Sequence, residues 1–223
     1  MKKINPQKKE VKTPLPLTEA IKQATQSSKT KFVASLEAHI NFNLDVTKAD
    51  QMVRTTTVLP HGTGKTVKVA VFSSKSIPTA DLEITEEDLA KITSGALKPN
   101  VDFNFLVAEP RYMPKLATVA RILGPAGVMP NPKNGTVTEN VADAVNKLKK
   151  GQVELKNEQN QAVIHTIFGK TNFTVEQLEE NFREIISALK QAKPQKAKPD
   201  WVASVYITTT MGPSFLVDLN TIM

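Results

Sequence analysis

The sequence predicts an α/β protein built as two domains, one discontinuous and made from both ends of the chain, the other inserted in its middle. Three observations carry that expectation. From Phe32 to Leu44 every even position is apolar (Phe32, Ala34, Leu36, Ala38, Ile40, Phe42, Leu44), and the odd positions are mostly polar. That period of two marks a strand with one buried and one free face, and it needs sheet partners that only the last third of the chain can supply. The middle third alternates strand, helix, strand, helix, the pattern of a small parallel sheet. Charge divides the same way: residues 66–154 hold 11 Lys+Arg and 10 Asp+Glu, a net of +1, so the flanking pieces carry +6 of the chain's +7.

The elements follow in order. Residues 1–15 are rich in Lys and Pro, a composition expected to order only on binding. A helix begins near Thr18, the alternating strand follows, and a short helix is expected over Lys48 to Arg54. Leu59 to Lys65 is a turn, and Thr66 to Phe72 reads as a buried strand. Thr85-Glu-Glu-Asp88 is a capping box opening a helix to about Thr93. Phe103 to Ala108 is a second buried strand, and Pro114 to Leu123 is helical, with Pro suited to the first turn. Thr138 opens a helix that closes at Gly151. Val153–Lys156 and Ala162–Phe168 flank Asn157-Glu-Gln-Asn160 as a hairpin. Thr174-Val-Glu-Gln177 caps a long helix whose stripe is Val175, Leu178, Phe182, Ile185, Ile186 and Leu189. Lys193-Pro194 ends it, and the strand Trp201 to Ile207 completes the chain's regular structure.

Composition narrows function. A chain of 223 residues with 40% hydrophobic content supports ordinary cores, and the absence of Cys excludes disulfides and thiolate metal sites. His39, His61 and His165 are far apart in sequence, which argues against a zinc site. No apolar run approaches the roughly 18–20 residues needed to cross a membrane, and the basic N-terminus lacks the apolar core of a secretory signal, so a cytoplasmic protein is expected. A net charge of +7 and a pI near 9.5 point to a polyanionic partner, nucleic acid first.

Several motifs carry possible chemistry. Gly62-Thr-Gly-Lys-Thr66 suggests a phosphate loop and hence a nucleotide-dependent α/β enzyme. The first Gly of that motif is replaced by Leu59, however, and a strand follows where a helix is required. Asp45 and Asp50 read as cap and surface carboxylates, and no nucleophile elbow places a Ser. No catalytic residue and no cofactor are expected. Thr208-Thr-Thr-Met-Gly-Pro213 offers hydroxyls for phosphate or ribose, a polarisable Met211, and a glycine permitting close approach.

Arg121-Ile-Leu-Gly-Pro-Ala-Gly-Val-Met-Pro-Asn-Pro-Lys-Asn-Gly135 is dense in residues that stiffen or sharply turn the backbone. Its order resembles the signature of the universal large-subunit ribosomal protein L-one family. Lys31-Phe32, Lys48-Ala-Asp-Gln51, Val58 to Lys65, Met113-Pro-Lys-Leu116, Gly169-Lys170, Lys193-Pro194, Ser204-Val-Tyr206 and Thr208 to Pro213 are similar to further family segments in the same order. The resemblance implies a split α/β sandwich, related to RNA-recognition folds, over residues 1–65 plus 155–223. It implies a Rossmann-like insert over 66–154. It further implies a stalk protein of the large subunit that binds ribosomal RNA and assists exit-site transfer RNA movement and release. Such proteins commonly repress their own messenger, and a free monomer is expected. The RNA-contact positions carried over are Phe32, Thr210, Met211 and Gly212, with Lys31, Glu37, His39, Lys170 and Thr171 beside them; Thr208 joins them by its chemistry. Hinges are expected near 63–66 and 152–156, at Gly62, Gly64, Lys65 and Glu154. The chain departs from the family pattern at Ala126, usually Arg, at Met52-Val-Arg-Thr55, usually Asn-Val-Arg-Gly, and between Phe72 and Thr85, where a family helix is absent.

Overall fold

A computed structural model describes residues 13–158 and 160–222. The basic tail lies outside the described residues up to position 12, but Leu15 already bridges Val217, so its last residues join the fold. In chain order the elements begin with α1 (Leu17–Gln26), β1 (Ser35–Phe42) and β2 (Arg54–Val58). Next come β3 (Val69–Phe72), β4 (Leu82–Glu83), α2 (Glu86–Ser94) and β5 (Phe105–Ala108), then α3 (Met113–Leu116), α4 (Ala120–Leu123) and α5 (Val141–Lys149). The chain ends with β6 (Gln152–Lys156), β7 (Val163–Lys170), α6 (Val175–Gln191), β8 (Val202–Thr209) and β9 (Ser214–Val217). The architecture is α/β with two domains, as the sequence predicts.

The alternating strand sits inside an antiparallel sheet of order β7-β1-β8-β9. Its even residues Leu36, Ala38 and Ile40 are fully buried against α1 and α6, with Ile164, Phe168, Val205 and Ile207 from the neighbouring strands. The α6 stripe supplies Leu178, Phe182, Ile185 and Leu189 to the same core, and each such buried side chain contributes about 1.5–3 kcal/mol. A capping box joins Thr174 and Gln177 at its start. The opposite face of the sheet carries Ser35, Glu37, His39 and Asn41, all half-buried, and Ser35 and Glu37 line a cleft shared with Leu148 of α5.

The middle of the chain forms a parallel sheet of order β4-β3-β5. All four residues of β3 are buried, because both faces are covered. Ala70 and Phe72 pack with α2, α3 and α4, while Val69 and Val71 pack with α5. The capping box of α2 holds Asp88 by the Thr85 backbone and side chain and by Lys91, and these bonds lower its carboxyl to about 2.

Several expectations are corrected. The segment from Lys48 to Arg54 is not a helix beyond a 3-10 turn at Ala49–Gln51; Arg54-Thr-Thr-Thr-Val58 is a strand, as its β-branched run favours. β6 and β7 do not pair as a hairpin. β6 pairs antiparallel with β2 and β7 with β1, and Asn157 closes the first ladder by accepting the Val53 N–H at 2.8 Å. The stretch Pro114 to Leu123 is broken by a 3-10 turn at Ala117–Val119, where Thr118 Oγ1 bonds back to the Lys115 carbonyl. Thr138 lies before α5, which starts after Asn140. β9 was not anticipated, although Phe215-Leu-Val217 after a Gly-Pro turn is its signal.

Candidate nucleic-acid interface

The open face of the antiparallel sheet ends in a tip where the start of β1 meets the β8–β9 connection and the end of β7. Two threonines hold that start from either side. Thr171 Oγ1 accepts the Ala34 N–H at 3.1 Å, and Thr210 Oγ1 accepts the Ser35 N–H at 3.3 Å. Backbone bonds double both links, from Thr171 N–H to the Ala34 carbonyl and from Thr210 N–H to the Ser35 carbonyl.

The β8–β9 connection is a tight turn closed by the Gly212 N–H donating to the Thr209 carbonyl at 2.8 Å. Its third residue is Met211, at φ 66 and 89% exposed. A non-glycine residue there costs roughly 1–2 kcal/mol, and such strain concentrates at functional sites. Gly212 has no room for a side chain, since a Cβ would lie 2.1 Å from Thr209 Oγ1. The hydroxyls do not all face outward as the sequence suggested. Thr209 is buried, Thr208 Oγ1 lies 3.2 Å from the Gly212 and Pro213 carbonyls, and Thr210 is engaged with β1. What the turn presents is the thioether of Met211 and the backbone around it.

Beside the turn stand Phe32, 57% exposed, and Val33, 52% exposed. Phe32 shares parity with the core, yet β1 begins only at Ser35, so the alternation does not reach it. Lys31 is exposed, and neither it, Lys65 nor Lys170 has an ion-pair partner among the described residues. Lys170 ends β7 opposite Ser35. Glu37 lies between Ile167 and Thr208 on the open face, with the His39 imidazole Nε2 4.0 Å from its Oε2. His39 is paired in register with His165, and their Nδ1 atoms are 2.7 Å apart. Burial, and then His165 alongside, hold the His39 imidazole below its ordinary value, with Glu37 acting in the opposite sense. The sheet thus brings together two of the three histidines that are far apart in sequence, while His61 stands apart beside Glu180. The arrangement gives apolar surface for bases, free ammonium groups for phosphates, and a carboxylate acceptor for a ribose hydroxyl or base amine.

The expected hinge residues lie where the parallel-sheet segment joins the rest. Gly62 and Gly64 both have positive φ. Glu154 is mid-strand in β6, opposite Thr56, and the left-handed residue on that crossing is Gly151, which the sequence suggested only as a helix end. A Cβ on Gly151 would lie 2.5 Å from Gly62 Cα, so the two crossings touch backbone to backbone. Buried Asn181 accepts the His61 N–H and donates to the Gly62 and Phe168 carbonyls, fixing the loop to α6. A strand, β3, follows the loop where a phosphate loop opens a helix, so the strand–loop–helix geometry of that motif is not formed here. The β2–β6 ribbon is flanked by two clefts of about 770 Å³ each, one including Lys133, Lys147 and Glu184, the other Val33, Lys65, Ile167 and Lys170. The stiff 121–135 loop reaches the ribbon through Asn134, which bonds Arg54 and Glu154.

Comparison with known proteins places residues 21–213 in a match to the ribosomal protein L1p/L10e family. The chain is 45% identical over 210 residues to the large ribosomal subunit protein uL1 of Mesoplasma florum, covering 92% of this chain and 90% of that one. It is 44% identical over 221 residues to the uL1 of Pseudoalteromonas translucida, covering 97% and 93%. The uL1 of Phytoplasma australiense is also 44% identical, over 218 residues, covering 96% and 93%.

Proposed function

Because this chain belongs to the ribosomal protein L1p/L10e family, we propose that it binds the large-subunit stalk RNA through the tip of its antiparallel sheet. Membership makes it a large-subunit ribosomal protein, associated with the ribosome. The observation that supports the RNA reading is Met211: a strained left-handed residue, 89% exposed, beside an exposed Phe32 and unpaired lysines. Phe32 and Met211 would take bases or sugar faces, Gly212 would let the RNA backbone approach, and Glu37 would accept from a 2′-hydroxyl. Lys31 and Lys170 would neutralise phosphates, giving a negative salt slope. Thr208, Thr210 and Thr171 would act by holding the turn and strand end in place, and His39 by lining the face.

The division proposed is 1–65 plus 155–223 for the RNA-binding part and 66–154 for the insert, with the β2–β6 ribbon and the Gly62–Gly64 loop as the articulation. Movement of the insert would serve passage of exit-site transfer RNA. Binding of its own messenger, by a mimic of the ribosomal site, would serve repression. The protein would act without catalysis or cofactor, as a cytoplasmic monomer when free.

The test is binding to a large-subunit stalk RNA fragment, against excess unrelated RNA, across a salt series. Tight, competitor-resistant binding with a steep negative salt slope is expected. Met211→Asp, with the fold intact, should weaken it by on the order of 30–100-fold, the size of a hot-spot loss. Parent-like binding by that variant at matched salt would overturn the assignment of the tip.

A further inference from the structure

The open sheet face holds a feature that RNA binding does not require. His39 in β1 and His165 in β7 stand directly opposite, and their Nδ1 atoms are 2.7 Å apart. β7 is an edge strand, so His165 is exposed and the pair is reached from solvent. On the far side of the His39 ring, Nε2 lies 4.0 Å from Glu37 Oε2. No cluster of three or more metal-binding side chains exists among the described residues, so any ion here would be held by the two imidazoles and completed by water.

We propose that His39 and His165 form a two-imidazole chelate for a late first-row divalent cation, with Cu²⁺ bound best. The spacing selects the ion. Two ligand bonds of about 2.0 Å at a right angle place their nitrogens about 2.8 Å apart, whereas a tetrahedral site needs about 3.3 Å. The observed separation suits the tetragonal geometry of Cu²⁺ or Ni²⁺ once both rings turn to aim their lone pairs at an ion beside the N–N line, a side-chain rotation that leaves the strands in register. In the free protein one Nδ1 must carry the proton it shares with the other. The ion displaces that hydrogen bond from beside the N–N line: the Nδ1 proton is lost to water, Nε2 of the same ring takes one up, and both imidazoles remain neutral with their Nδ1 lone pairs turned to the ion. On His39 the Nε2–H lies on the side of Glu37, whose Oε2 at 4.0 Å acts on the ring by its charge rather than through a hydrogen bond. The register of β1 against β7 sets the separation before any ion arrives, so little side-chain freedom remains to be lost on binding. The third histidine, His61, is held by Glu180 at 2.6 Å and plays no part.

The test uses the full chain without RNA, so its result is independent of the RNA reading. Cu²⁺, Ni²⁺, Zn²⁺ and Mg²⁺ are titrated by calorimetry, and Cu²⁺-induced broadening of the histidine NMR signals locates the ion. One equivalent of Cu²⁺ should bind, more tightly than Ni²⁺ or Zn²⁺, with Mg²⁺ silent. Broadening should centre on His39 and His165. His39→Gln and His165→Gln, which keep side-chain bulk but cannot chelate through a pair, should each abolish the one-equivalent binding while thermal unfolding confirms the fold. Glu37→Gln should weaken it by no more than about fivefold, the size of a partly solvated charge contact, and His61→Ala should leave it unchanged. Retention of Cu²⁺ binding by folded His39→Gln or His165→Gln would overturn the proposal. So would broadening centred on His61 or the N-terminus, or no binding by the parent.

Discussion

The tip of the antiparallel sheet and the crossing between its ribbon and the parallel-sheet segment are both built on tight backbone, yet they handle it in opposite ways. At the tip, Met211 occupies a left-handed position while its side chain stands 89% exposed. At the crossing, the left-handed positions are Gly62, Gly64 and Gly151, where the conformation costs little, and polar groups are joined to partners. The tip holds strain and bare apolar surface that packing alone does not explain, which is the signature of a surface meant to be covered.

The strongest way to break that contrast is to give the crossing a side chain. Gly151→Ala adds a Cβ 2.5 Å from Gly62 Cα at a residue with φ 98. Backbone cannot yield as a side chain can, so unfolding in urea should show a loss of about 2–4 kcal/mol. A loss below about 1 kcal/mol would mean the two chains separate easily there. Asn181→Ala should come next. It orphans the His61 N–H and the Gly62 and Phe168 carbonyls together, costing about 2–3 kcal/mol. Hydrogen exchange at His61 should accelerate, and unchanged protection there would show that the loop is held by other contacts. Neither variant should alter tip chemistry, so RNA affinity measured on the folded fraction should stay near parent.

Much of this contrast was legible in sequence, though unevenly. Even-position alternation located the buried face of β1 because one helical layer covers it, and the two capping boxes located α2 and α6 because their partners lie within one turn. Pairing was harder to read. β6 joins β2 across nearly a hundred residues, and local signals made it half of a hairpin. The Thr-Met-Gly triad was found, but the direction of its hydroxyls was not, since whether Thr208 faces water or the Gly212 carbonyl depends on the turn. Gly151 was hidden by a second role, as a helix end is where glycine is expected anyway. His39 and His165 could not be paired without the register of β1 against β7.

A smaller effect sharpens the tip side. Met211→Gly relieves roughly 1–2 kcal/mol of left-handed strain but adds about 0.5–1 kcal/mol of unfolded-state entropy. The variant should therefore be more stable by up to about 1.5 kcal/mol. Stalk RNA affinity should fall about tenfold as the thioether contact goes. Stability and binding moving in opposite directions is the expected outcome of strain retained for function. Equal binding with higher stability would make the strain incidental.

The smallest stability effect belongs to the crossing and concerns motion. Arg54 lies 2.9 Å from Glu154 on the ribbon and 3.2 Å from the Asn134 side chain of the stiff loop, and Asn134 also donates to Glu154. The Arg54 and Glu154 side chains are both partly solvated, so Arg54→Ala should cost only about 0.5 kcal/mol of unfolding free energy. The same three residues nonetheless form the charged part of the link between that loop and the ribbon, beside a neutral bond from the Gln152 side-chain amide to the Asn134 carbonyl at 2.8 Å. Distances between spin labels in the antiparallel sheet and in α5 should broaden in Arg54→Ala at low salt, and the parent should approach that breadth as salt rises and screens the pair. Identical, salt-insensitive distance distributions in the two proteins would place the restraint in neutral contacts, the Gln152–Asn134 bond and the backbone contact of Gly62 with Gly151, and leave the ion pair with no part in positioning the insert.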